Sequence, residues 1–265
     1  MTKTELLNKL AGDPEERLLL ARIMDKMDLC RQRNVPAHTP FLSLGERKLA
    51  ETLIAASGHP AHLFWGGYEG AERTVCAFLP DWMEPEVWTA DPECPVTAAE
   101  LAYPADGGLT HRDFLGSILG LGITREKLGD LLVGEGRCQV LLLRDMEKTL
   151  LTQLDQVGRQ RVKVSRLDPS DIVVPEKTVK LVRDTVATLR LDAVAASGFS
   201  TSRSKMADLI SSKKVQLNGR EVEKPDRAVA QGDVLVCRGL GKCVLKEVSG
   251  TSKKGRIMIE IERYV

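Results

Sequence analysis

Arg203 and Lys205 stand in what reads as the first turn of a helix, after Ser202 and with Ser204 between them. Serine is a good helix-capping type. A helix N-terminus presents free N–H groups, and cations beside it act on the same phosphate. Lys213 and Lys214 follow the end of that helix, and Asn218 and Arg220 sit at a hairpin tip. Lys224 comes next, and Arg238 and Lys242 flank a later Gly-rich turn. Long cationic stems pack beside an apolar stripe while their heads reach solvent or phosphate. These eleven residues form the candidate phosphate-binding set. Contacts of this kind reach the nucleic-acid backbone rather than base edges. The alternative is a solvated face on a small α+β unit.

Other residues suggest chemistry less well. His111-Arg112-Asp113 imitates a kinase catalytic-loop triplet, but the Gly-rich loop, strand lysine, DFG triplet and downstream asparagine are missing. A helix N-cap turn is the simpler expectation. Arg166-Leu167-Asp168 resembles the segment that supplies the aspartate of pseudouridine synthases, yet Pro-Ser-Asp-Ile-Val follows it, which departs from their pattern. The glycines from Gly116 to Gly136 form neither a P-loop nor a dinucleotide fingerprint. The six cysteines have no C-x-x-C spacing and read as small core residues. No cofactor and no metal are expected. Trp65, Tyr68 and Phe78 could stack bases on a sheet, but core packing is the stronger expectation.

The frame around the basic set is ordered. Leu191, Val194 and Ala195 give a short helical face ending at Gly198. Met206, Leu209 and Ile210 give a second. Val215 and Leu217 lead to Asn218-Gly219, the strongest two-residue hairpin signal, which sets Val215 opposite Val222. Gly232-Asp233 then turns into Val234 and Val236. This order resembles the S4 domain, the αL RNA-binding module, over nearly fifty residues. That resemblance implies RNA as the phosphate ligand.

Earlier in the chain, helices are expected at 4–10, 14–30 and 45–57. Strands are expected at 63–65, 74–79, 94–103, 131–133, 139–143 and 161–167, and helical segments at 111–120, 124–128 and 145–157. The stretch His111-Arg-Asp-Phe-Leu-Gly-Ser-Ile-Leu-Gly-Leu-Gly-Ile-Thr-Arg-Glu-Lys-Leu-Gly-Asp130 is similar to one in the YlmH family. The tail, with Arg238-Gly-Leu-Gly-Lys242 and Thr251-Ser-Lys-Lys-Gly-Arg256, is similar too. The fold class expected is α+β: an N-terminal helical region (1–60), an RRM-like, ferredoxin-like middle domain (61–177) and a C-terminal S4 domain with added strands (178–265).

Composition is consistent with this reading. The net charge is only +1, but residues 181–265 carry 16 basic and 10 acidic side chains against 22 and 27 in the first 180. A basic C-terminal third on an acidic body places the polyanion partner there. No apolar run approaches the roughly 18–20 residues needed to span a bilayer, so a cytoplasmic chain with no membrane partner is expected, and the family resemblance implies a bacterial protein with no DNA partner. The family resemblance implies a non-enzymatic RNA-binding protein of the large ribosomal subunit. Its partners would be ribosomal RNA and tRNA or peptidyl-tRNA, held during quality control of stalled nascent chains. The alternatives are an RNA-modifying enzyme of pseudouridine-synthase type, or an adaptor working through its N-terminal helices.

Overall fold

The computed structural model describes residues 2–175 and 179–264, with the backbone alone at Asp106. It divides into two compact units, Met1–Pro175 and Glu176–Val265. The boundary expected at 177/178 lies outside the described residues.

The first unit opens with α1 (Lys3–Leu10), α2 (Pro14–Arg33), β1 (Ala37–His38) and α3 (Leu44–Ala56). Side chains fix the helix starts: Asp13 accepts from the Glu16 N–H at 2.8 Å ahead of Pro14, and Glu46 reaches back to the Ser43 N–H at 2.6 Å. Asn34 ends α2 in the left-handed conformation. β2 (His62–Trp65) and β3 (Val75–Phe78) follow, and the three strands form one sheet in the order β1-β3-β2. Strand alternation gives it two buried faces. Phe64, Cys76 and Phe78 pack on the helices, while Leu63, Trp65, Val75 and Ala77 face the next layer.

That layer is the ferredoxin-like part. After α4 (Pro85–Ala90) come β4 (Val96–Ala102), α5 (His111–Gly120), β5 (Leu128–Gly134), β6 (Arg137–Leu143), α6 (Arg144–Gln153), a small hairpin of β7 (Gln156–Val157) and β8 (Gln160–Arg161), and β9 (Lys163–Leu167). The β-α-β-β-α-β run makes an antiparallel sheet in the order β5-β6-β4-β9. Ala99, Leu101, Val140 and Leu142 pack against Phe114 and Ile118 of α5 and Leu150 of α6. The opposite face, through Val96, Ala98, Leu141 and Leu143, meets the first sheet.

Two expectations change here. The strands near 63–65 and 74–79 belong to a separate sheet with β1 rather than to the middle sheet, so a boundary at residue 60/61 cuts through one shared core. The helix expected over 145–157 stops at Gln153, because Gln156 and Val157 pair with β8.

The second unit runs β10 (Val179–Val186), α7 (Leu191–Gly198), α8 (Arg203–Ser211), β11 (Val215–Leu217), β12 (Arg220–Glu221), β13 (Val234–Cys237), β14 (Gly241–Thr251) and β15 (Ile257–Tyr264). Its six-stranded sheet has the order β10-β15-β14-β13-β11-β12. Leu191, Val194, Met206 and Ile210 from the two helices share a core with Leu235, Cys243, Leu245 and Ile261. Gly198 is required there: a Cβ would lie 2.8 Å from Cys243 Sγ. All six cysteines are buried thiols, and burial pushes Cys76, Cys138 and Cys243 up to about 12, so they are inert. No described helix is long and apolar enough to cross a membrane.

Candidate nucleic-acid interface

The second unit places the basic set on one supporting frame. The Ser202 hydroxyl accepts from the Lys205 N–H at 3.3 Å, which caps α8, and Ser204 lies 3.2 Å from Ser202 through their hydroxyls. Met206 and Ile210 are buried beneath, so Ser204 and Lys205 face solvent. Lys213 takes the left-handed conformation that ends α8. The carbonyl of Lys214 then accepts from the Arg238 N–H at 2.9 Å, which joins these two cationic residues at the far end of the helix. A nine-residue helix separates this pair from the cap by roughly 13 Å.

Not all of the expected residues are equivalent. Lys205, Lys214, Lys224 and Arg238 are exposed and have no ion pair among the described residues. Arg203 is different: it donates to the buried Asp192 at 2.7 Å, and Arg190 holds the same carboxylate from the other side at 3.2 Å. Burial opposes ionisation of Asp192, but the two guanidiniums outweigh it and keep its carboxyl below the usual range. Arg203, expected as a phosphate ligand, therefore also neutralises a buried charge. Lys213 pairs with Glu223 at 2.9 Å. Asn218 is a turn residue, with a positive φ followed by Gly219. Its amide donates to Asp233 at 2.7 Å and its carbonyl accepts from the Val234 N–H at 3.0 Å. The expected pairing of Val215 with Val222 is present, the Val222 N–H donating to the Val215 carbonyl at 3.2 Å. Arg220 sits on the exposed edge strand, and Lys242 lies over the Tyr264 ring at 4.9 Å.

Cations outside the expected set share this unit. Lys253 and Lys254 crown the β14–β15 hairpin, and Arg256 donates to the Thr185 hydroxyl at 3.0 Å. The run Lys-Lys-Gly-Arg was the signal for them.

The Gly-rich stretch of the first unit has another role. Asp113 reaches back to the Thr110 N–H at 2.8 Å and hydroxyl at 2.6 Å, so the triplet His111-Arg112-Asp113 opens a helix. Asp130 accepts from the Tyr68 hydroxyl at 2.7 Å and from the N–H groups of Glu72 and Arg73 at 2.7 and 3.1 Å. Arg73 donates in turn to the carbonyls of Leu128, Phe41 and Arg125. A Cβ on Gly129 would sit 2.8 Å from the Phe41 ring. The stretch is the joint between the two sheets. Burial raises the Tyr68 phenol and lowers the Arg73 guanidinium to about 10. Trp65 and Tyr68 pack near this joint and Phe78 lies in the helical core, so none of the three is on the ferredoxin-like sheet. The face that stacks bases in RRM domains is instead covered at Ala98 and Leu141. Asp168 lies in an exposed turn, where its carboxylate accepts from Ser170 N–H and hydroxyl.

Comparison with known proteins bears on both units. Residues 93–185 match a putative RNA-binding domain in YlmH, and residues 189–235 match the S4 domain. The chain is 31% identical over 251 residues to the ribosome-associated protein quality control protein P2 of Bacillus subtilis (strain 168), covering 94% of this chain and 95% of that protein. It also resembles the solved structure of the cell division protein ylmH from Streptococcus pneumoniae, at 24% identity and a TM-score of 0.51, over 59% of this chain and 93% of that one. At that identity the likeness concerns the fold.

Proposed function

The chain belongs to the YlmH family of S4-domain RNA-binding proteins, and from that premise we propose that it acts on the large ribosomal subunit in quality control of stalled nascent chains. In this reading it holds ribosomal RNA and tRNA or peptidyl-tRNA together in the cytoplasm and catalyses no step. The observation that carries it is the set of exposed cations at both ends of α8, Lys205 at its cap and Lys214 with Arg238 at its end, none of which has an ion pair among the described residues. Two phosphate-binding points on a rigid helix fix the register of a backbone. Arg203 is anchored to the buried Asp192 beneath that surface, Asn218 holds the hairpin through Asp233, and Lys213 pairs with Glu223 on the exposed face beside it. The working division is an N-terminal helical part, a ferredoxin-like part and the S4 unit that grips RNA.

The relative's name supports the ribosomal setting, and the matched domains support RNA as the ligand. The test is sucrose-gradient co-sedimentation of the purified chain with separated subunits, with and without peptidyl-tRNA on the large one. Co-migration with the large subunit, strengthened by peptidyl-tRNA and lost at high salt, is the expected result. Equal binding to both subunits, or none, overturns the proposal.

A further inference from the structure

A groove of about 550 Å³ lies between β10 and the turn joining α7 to α8. One wall is strand β10 from Val182 onward, and the other carries Ser197, Ser200, Thr201 and Arg203. β10 is the last strand of its sheet, so it has an unpaired edge. An open edge ordinarily invites strand addition. At Thr185 that is blocked. Its N–H donates to the Asp184 carboxylate at 2.7 Å, and its carbonyl accepts from Arg256 at 2.5 Å. An extended peptide therefore finds no continuous ladder there.

The chemistry of the walls suits an anion. Arg183, Arg203 and Arg256 line the groove against one acid, Asp184, whose carboxylate already takes the Ser197 hydroxyl at 2.7 Å. Arg183 shares its charge with Glu260, and Arg203 with Asp192. Ser200 and Thr201 add hydroxyls suited to phosphate oxygens or ribose 2′-hydroxyls. Arg256, which lines the groove, also closes the β14–β15 hairpin turn. There Ser252 N–H donates to the Arg256 carbonyl at 2.7 Å, and Gly255 N–H to the Ser252 carbonyl at 2.9 Å. This turn holds up Lys253 and Lys254, both exposed and without an ion pair among the described residues. Arg203 belongs to both surfaces: it opens α8 and it lines the groove.

We propose that this groove carries a second segment of RNA sugar-phosphate backbone, continuous through Arg203 with the α8 surface, and that Lys253 and Lys254 hold its far end. The proposal rests on the RNA-binding reading above and extends its footprint from one helix to two surfaces. The consequence is measurable, because each neutralised phosphate adds about 0.7 to 0.9 to the slope of log affinity against log salt.

The experiment titrates large-subunit ribosomal RNA with the full chain at several salt concentrations. It compares wild type with K253A/K254A, K205A/K214A and the quadruple variant. Each pair is expected to flatten the slope by about 1.5, and the quadruple by about 3, since separated sites add. Neither pair of exposed lysines should move the thermal midpoint. A wild-type slope and affinity for K253A/K254A, with K205A/K214A impaired, overturns the groove and leaves the α8 reading intact. Wild-type behaviour of both variants overturns both. Loss in K253A/K254A alone supports the groove and overturns the α8 reading. Displacement of bound RNA by polyglutamate only in chains that retain Lys253 and Lys254 would assign the groove to an acidic protein segment and overturn it as an RNA site.

Discussion

Two stretches carry the strongest sequence signatures, and the structure uses them in opposite ways. From His111 to Asp130 the chain turns its characteristic groups inward. Asp130 holds three donors, Gly129 meets Phe41, and the helix start is tied by Asp113. From Leu191 to Lys242 it buries a stripe and turns its cations outward, with Lys205, Lys214 and Arg238 left to solvent. A signature made of glycine and a half-buried, fully bonded carboxylate marks a joint, whereas one made of caps, turns and exposed cations marks a surface. The same contrast separates the two sheets. The ferredoxin-like sheet has its second face closed by the first sheet, while the S4 unit presents charge around α8.

The joint breaks hardest. Asp130→Ala leaves the Tyr68 hydroxyl and two backbone N–H groups without their acceptor, which costs about 3 kcal/mol in the first unit. Gly129→Ala forces a methyl against Phe41 and Leu141 and costs about 2 kcal/mol. All three tryptophans, Trp65, Trp82 and Trp88, lie in this unit, so their fluorescence reports its urea midpoint directly. RNA affinity should stay at the wild-type level. A wild-type midpoint for Asp130→Ala would remove the joint from the account.

The surface should respond in affinity first. Lys205→Ala with Lys214→Ala is expected to cost on the order of 1–3 kcal/mol of RNA binding with unchanged stability. Arg203→Ala should do both, because it uncovers Asp192 with only Arg190 beside it. We expect about 1–2 kcal/mol lost from the second unit, read by hydrogen exchange across α7 and α8. Arg203→Ala with native exchange protection would return it to phosphate binding alone.

What was legible in the sequence follows the range of the interactions. Helix starts, the Asn218-Gly219 hairpin and the buried stripes are local, written within a few residues, and the helices at 111–120 and 191–198 lie where the periodicity put them. The ferredoxin-like order was legible from the alternation of elements. The separate β1-β3-β2 sheet was not, because a two-residue strand at Ala37–His38 carries no period and is defined only by its partner. The pairing of Arg203 with Asp192 spans eleven residues across a helix turn, beyond what charge placement on one helix reveals. The β10 groove depends on a hairpin tip meeting a strand some seventy residues earlier.

Acid should separate the units by a smaller margin. Burial holds His38 and His111 below their ordinary range, with Lys26 and Lys127 adding to the effect at the first and Arg125 at the second. All four histidines lie in the first unit. The folded values of His38 and His111 sit below the unfolded one, so at these two the unfolded chain takes protons first as pH falls through about 6.5. The stability they contribute is present above that pH and is lost below it. In the second unit the depressed groups are carboxylates: Asp192, held down by Arg203 and Arg190 against its burial, and the exposed Glu260, held down by Arg183 and Lys246, so what they contribute persists until pH falls into the carboxylate range. Between pH 7 and 5.5 the tryptophan-reported midpoint should therefore decline while exchange protection in α7 holds. Parallel decline in both units would break the comparison on electrostatic grounds.

The smallest effect is expected at Asp168, and it tests the enzymatic alternative. Its Arg-Leu-Asp context is the feature that resembles the catalytic segment of pseudouridine synthases. Hydrogen bonds from the Ser170 hydroxyl and N–H hold its carboxyl below the usual range. A catalytic carboxylate needs a concave, partly dry site and a partner that tunes it to its task. Asp168 instead caps a short exposed turn at Pro169–Asp171, a role for which asparagine is an equal substitute. Asp168→Asn should keep the capping bonds, the urea midpoint, the salt slope and the ribosome co-sedimentation of the wild type. The decisive measurement is a modification map of ribosomal RNA and tRNA from cells carrying only that variant. A position that loses its modification while the protein stays folded would make Asp168 a catalytic residue and overturn the proposed holding role in favour of an enzyme.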